Sequence, residues 1–231
     1  MSDAIELPPA PPAPDSFYTP EQRALQERHD SKPLADTVVA AIVRDALEEA
    51  HIGFIESRDF FFLATVNDRG EPTTSYKGGA PGLVRALDPH TLVFPNYDGN
   101  GMFMSMGNVA ATAKVGMLFI DMETPHRVRV QGTASVSADD PELANYPGAN
   151  MIVRVAVDAV FLNCARYIHK HRRVEASPYV PEDDGSQPYP SWKRIDALQD
   201  TLPERDKGRA AKEGGTITFE DYVDKVQSGT S

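Results

Sequence analysis

Phe60–Val66 reads FFFLATV, Asn67–Gly70 reads NDRG, and Glu71–Lys77 reads EPTTSYK. An apolar, β-prone run, a turn tetrad and a threonine-rich run make a hairpin, and that hairpin decides the fold class. Downstream of it, Thr91–Phe94, Lys114–Asp121, Arg127–Val136 and Met151–Asn163 supply four more strand candidates, several of them alternating. Upstream, Val38, Val39, Ile42, Val43, Ala46, Leu47, Ala50 and Ile55 recur at helical spacing between Asp36 and Ser57. They predict one amphipathic helix, or two with a break near Gly53. Six strands crossed by a long helix predict a mainly β fold with flanking helices, a closed or half-open antiparallel barrel. Short helices are expected at Pro20–Asp30, where Thr19 is the N-cap and Pro20 the first helical residue, at Asn100–Val109 and at Asp140–Tyr146.

The flanks differ in composition from this middle. Pro8–Pro14 reads PPAPPAP, an extended arm without amide donors at its prolines. After Cys164 the chain turns to charge, proline and glycine, with Trp192 as a large anchor and a weakly amphipathic end at Phe219–Val226. The expected organisation is an arm and short helix over 1–35, a barrel domain over 36–168, and a C-terminal wrap or tail over 169–231. The formal charge of −11 argues against nucleic acid and anionic membrane as partners, because phosphates are repelled. The acidic start MSDAIELPP lacks a signal-peptide pattern and no run has the length of a membrane span, so a cytoplasmic location is expected. With Cys164 as the single cysteine, an internal disulfide is impossible.

Four regions can carry chemistry. Ser75–Arg85, SYKGGAPGLVR, joins glycines that let backbone approach a ligand to two cations, Lys77 and Arg85, suited to phosphate or an electron-rich ring. A hairpin loop with solvated cations would read the same way. Phe94–Asn108, FPNYDGNGMFMSMGN, sets Asn96, Asn100 and Ser105 around a helix start, where free amides can hold an anion. It matches neither a P-loop nor a Rossmann turn, and its methionines also suit a packing helix. In His126–Gly132, HRVRVQG, alternation sends Arg127, Arg129 and Gln131 to one strand face, toward solvent or a polar ligand. In Asn163–Ile168, NCARYI, Cys164 has cations nearby but follows a buried strand, which predicts an inert core thiol.

Taken in order, these stretches resemble the FMN-binding split barrel of the pyridoxamine 5'-phosphate oxidase-like superfamily. FFFLATVNDRGEPTTSYKGGAPGLVRAL, TLVFPNYDGNGMFMSMGN, KVGMLFID and RVRVQGTA resemble its successive strands, and NCARYI resembles an NC-x-[RK]-YI segment of one of its branches. The resemblance spans about Ile55 to Ile168. It implies a six-stranded antiparallel split barrel, working as a homodimer with two FMN molecules at the interface, each touching both subunits. Ser75, Lys77 and Gly78 would lie near the isoalloxazine and Arg85 near the phosphate or ring. Tyr97, Asn100, Met102 and Asn108 would flank the phosphate and ribityl chain. Arg127 stands where the true oxidases carry a glutamine on the ring, with Arg129 as its strand neighbour. Asn163, Arg166 and Tyr167 would close the site.

This chain departs from the true oxidases in two places. Their Ser-Arg-Lys run for the FMN phosphate is replaced by Gly-Met-Phe-Met-Ser-Met, and their tryptophan- and arginine-rich end by an acidic tail. Vitamin B6 oxidation is therefore not expected. The resemblance implies instead an FMN-dependent oxidoreductase of unknown small-molecule substrate or electron donor, with hydride transfer at flavin N5. The alternative is a non-catalytic flavin, haem or deazaflavin binding protein.

Overall fold

The computed structural model describes residues 13–231, so most of the proline arm lies outside the described residues. The chain divides into two compact units, one ending at Ala176 and the other covering Ser177–Ser231.

The first unit opens with three helices, α1 (Pro14–Phe17), α2 (Pro20–Arg28) and α3 (Lys32–Ile42). At the start of α2 the expected Thr19 cap is present as a full capping box. The Thr19 hydroxyl accepts from Gln22 N, and Thr19 N donates to the Gln22 side chain. The amphipathic stretch that follows is two helices, with the break at residues 43–48 instead of near Gly53. α4 (Glu49–Glu56) starts with a box in which Glu48 N donates to His51 Nδ1 at 3.1 Å. Arg44, in the break, forms a β-bridge with Val160. That bridge takes the backbone groups a continuous helix would have used, which is why periodicity alone misplaced the break.

Seven strands follow, one more than expected: β1 (Phe60–Val66), β2 (Pro72–Gly78), β3 (Arg85–Asp88), β4 (Thr91–Asn96), β5 (Lys114–Asp121), β6 (His126–Ser137) and β7 (Met151–Leu162). The added strand, β3, has four residues and lies where the sequence reads as loop; pairing with β4 makes it a strand. The helix expected at Asn100–Val109 begins later, as α5 (Met104–Thr112), and Pro141–Asn145 is a 3-10 turn. All pairings are antiparallel, in the order β2-β1-β5-β6-β7-β4-β3. The ladder is not closed, since β2 and β3 remain its two edges. A bulge between Gln131 and Gly132 bends the long β6·β7 pair. Only glycine fits there, because a Cβ on residue 132 would meet Ala156 O at 2.5 Å.

Cross-strand partners share a face, which fixes the two sides of the sheet. Phe61, Leu63 and Thr65 of β1 point inward, with Phe94, Met117, Phe119, Val128, Val130, Val153 and Val155, all buried. Phe61 packs against Phe94 and Phe119 at centroid distances of 5.1 and 5.3 Å. Ala159 and Phe161 of β7 are covered by Val39 and Val43. On the outer side Phe60, Phe62 and Tyr76 form an aromatic cluster, and Tyr76 remains 62% exposed.

The second unit buries Tyr189, Ile195, Leu202 and Ala210, and encloses an ion pair between Lys193 Nζ and Asp206 Oδ2 at 2.8 Å. It ends in α6 (Phe219–Ser228), capped by Thr218 and stopped by Gly229 in the left-handed region. No helix among the described residues is long and apolar enough to cross a membrane.

Candidate functional site

Edge strand β2 breaks the apolar rule of the core. Ser75 lies opposite Leu63 and Lys77 opposite Phe61, so two polar side chains occupy the inward face of the sheet. They are tolerated there because a cavity of about 360 Å³ opens beside them. Its other wall is the loop Pro95–Phe103 and the first turn of α5.

The helix start is set for an anion. Phe103, the N-cap, has φ 49°, a left-handed conformation that is costly for a bulky residue, and its side chain makes no cap. The amides of Met104, Ser105 and Met106 therefore have neither an intrahelical acceptor nor an N-cap side chain, and all three residues line the cavity. The Ser105 hydroxyl is hydrogen-bonded to that of Ser75 at 2.7 Å, tying the helix to the edge strand. Asn100 braces the loop, accepting from Met102 N at 3.1 Å and donating to Met102 Sδ at 3.3 Å.

Lys77 is half-buried in this cavity and has no acidic partner among the described residues. Burial holds its pKa below the ordinary lysine value. Burial also raises the phenol of Tyr97, another lining residue. The phenol of Tyr76 is raised by burial and by Asp59, against Arg173.

Of the residues the sequence singled out, Ser75, Lys77, Gly78, Tyr97, Asn100 and Met102 line this cavity together. Asn108 does not. Its buried amide donates to Thr65 Oγ1 at 3.0 Å and Thr73 Oγ1 at 3.3 Å, holding α5 to the β1–β2 hairpin. Arg85 is turned away into an ion pair with Glu142 at 3.2 Å. Glu142 also accepts from Asn145, beside a Tyr146 phenol that burial pushes up to about 12.

Arg127 and Arg129 form a second group, on the other face of the sheet. Register sets Arg129 against Leu118, and Leu118 against Phe62, all facing outward. Asn163 N donates to Arg127 O at 3.4 Å, joining the start of β6 to the end of β7. Arg127 Nε and Asn163 Oδ1 are both enclosed, one a donor and the other an acceptor, and neither has a partner among the described residues. Arg166 and Tyr167 follow, exposed. Cys164 is exposed as well, which corrects the expected core thiol: β7 ends at Leu162 and the strand's burial ends with it. Sequence reasoning passed over Phe103, whose strained backbone shapes the helix start and which no local pattern announces.

A family model described as Pyridoxamine 5'-phosphate oxidase matches residues 47–179, and the chain belongs to that family. No curated protein matches the sequence significantly. Among solved structures it is similar to HupZ of Group A Streptococcus, at 16% identity over 50% of this chain and 94% of that one, with a TM-score of 0.42. It is similar also to HutZ, the haem storage protein of Vibrio cholerae, at 18% identity over 50% and 94%, TM-score 0.39. An F420 reductase shares 22% identity over 49% and 98%, TM-score 0.37. Membership rests on the family model, not on these likenesses.

Proposed function

We propose that the chain is an FMN-dependent oxidoreductase in which the cavity beside β2 holds the flavin. The observation that carries this is one cavity where a half-buried Lys77, without an acidic partner among the described residues, meets an uncapped helix start. A buried cation and free first-turn amides both gain from a phosphate. The volume, about 360 Å³, falls within the range of roughly 300–1,000 Å³ usual for ligand sites. FMN, when bound, supplies two-electron redox chemistry that the protein's own side chains lack.

Within one chain the Arg127 group and the cavity lie on opposite faces of the sheet, so a second copy must bring them together. Association through the outer face carrying Phe60, Phe62, Tyr76 and Leu118 would cover its aromatic cluster. It would let Arg127 and Asn163 of one copy complete the cavity of the other. Both residues keep part of their surface accessible, and a guanidinium and a carboxamide can supply donors and an acceptor to the edge of a flat heterocycle.

A second reading, flavin or deazaflavin binding without turnover, is favoured by the cavity lining. Its ionisable side chains are Lys77, Tyr76, Tyr97 and Asp98, with no histidine or cysteine among the described lining residues to titrate near neutral pH. The same lining disfavours a haem held by histidine or cysteine.

The deciding experiment is a visible spectrum of the purified protein, with mass identification of the released chromophore and light scattering for the assembly. Flavin bands, a released mass of FMN and a dimer are expected, with bleaching by a reduced nicotinamide separating enzyme from carrier. A colourless protein that also refuses added FMN would overturn the proposal.

A further inference from the structure

Four of the chain's 23 lysines and arginines fall within Arg166–Arg173, RYIHKHRR, together with His169 and His171. No acid occurs between Asp158 and Glu175. In a chain with 34 acids, cations readily find acidic neighbours, and several in this unit do. Arg58 pairs with Asp121, Arg85 with Glu142 and Arg154 with Asp140. Arg166, Lys170 and Arg172, by contrast, are exposed and have no acidic partner among the described residues.

Three contacts anchor the segment despite its lack of regular structure. Ile168 N donates to Ala165 O at 3.0 Å, His171 N donates to Met122 O at 3.0 Å, and Arg173 pairs with Asp59. It thus runs as a strap from the end of β7 past the β5–β6 turn to the start of β1. Asp59 O accepts from Gly79 N at 2.8 Å, next to cavity-lining Gly78. The strap therefore ends at the β1–β2 end of the cavity.

We infer that this strap is a second anion site, taking the phosphate or diphosphate arm of a small molecule whose other end reaches the cavity. Guanidinium groups match phosphate oxygens two at a time, and three free cations answer a charge near −2 or −3, whereas one carboxylate would leave most of them unanswered. A long polyanion is disfavoured because the chain as a whole, at −11, repels it. The role of the bound molecule, as anionic co-substrate of the redox reaction, rests on the function proposed above; the anion binding itself does not.

The test is calorimetric titration of the full chain, with whatever cofactor it retains, using inorganic pyrophosphate as probe. Wild type should bind at low salt and weaken steeply between about 50 and about 200 mM salt. Lys170→Gln with Arg172→Gln should weaken binding about tenfold or more, and Lys212→Gln, in the other unit, should not. The visible spectrum of each sample is recorded alongside. Strap-dependent binding by a colourless protein would support the anion site while removing its redox role. Absent binding by wild type, a double variant within about twofold of it, or an equal loss in Lys212→Gln would each overturn the inference.

Discussion

Lys77 and Lys193 are both drawn out of water by folding, and the two units treat them in opposite ways. Lys193 is 4% exposed and meets Asp206, itself 2% exposed, at 2.8 Å, with Arg209 lying over the neighbouring Tyr189 ring. Lys77 is half-buried among Ser75, Gly78 and the start of α5, and among the described residues it makes no ion pair. A buried charge costs stability unless it is paired, so a paired lysine belongs to architecture and an unpaired one awaits a ligand. The contrast separates a finished polar core from an unfinished one.

Breaking the finished pair should have the largest effect. Asp206→Asn leaves the Lys193 ammonium without its enclosed countercharge and should destabilise Ser177–Ser231 by about 3–5 kcal/mol, read as lost hydrogen-exchange protection in that unit. Replacing both partners, Lys193→Met with Asp206→Leu, should recover most of the loss. If the single variant keeps full protection, the pair is not what holds that unit.

Lys77→Met should act the other way. Thermal stability of the cofactor-free protein should hold or rise, because a half-buried unpaired charge is gone, while affinity for FMN falls about tenfold or more. Unchanged affinity in a fluorescence-quenching titration would place the anion elsewhere.

The smallest expected effect is on pH dependence. Burial lowers the Lys77 pKa in the folded chain below 10.5, so the unfolded chain binds the proton more tightly. Cofactor-free stability should therefore gain from Lys77 as pH rises from the lowered value toward 10.5, and lose that contribution below it. FMN affinity should fall over the same window, since the phosphate prefers the ammonium. Lys77→Met should flatten both profiles.

Much of the fold could be read locally. The alternation in Lys114–Asp121 marks β5 to the residue, and Thr19 before Pro20 marks the start of α2, because strand faces and helix caps depend on neighbours one to four positions away. The four-residue β3 was invisible because its strand state comes from β4 and not from its own side chains. The site was legible in part. Ser75, Lys77 and Gly78 stand out in the sequence as a glycine-rich, cationic strand end, and the cavity unites them with Tyr97, Asn100 and Met102.

What the sequence by itself determined is most of the elements, six of the seven strands among them, the alternation that sorts side chains to two faces in strands such as β6, and a surplus of cations in a few short runs of an acidic chain. Tertiary structure decided which of those cations are spoken for. Arg85 and Lys77 stand in one glycine-rich stretch, yet Glu142, far along the chain, takes Arg85, while Lys77 has no ion-pair partner among the described residues. Asn108 and Asn100 share one loop-helix segment, yet strand register gives the first to Thr65 and Thr73 and leaves the second to brace the cavity wall. The physical reason is that hydrogen bonding and ion pairing are settled by proximity in space. Between distant segments only register, bulge and edge position create that proximity.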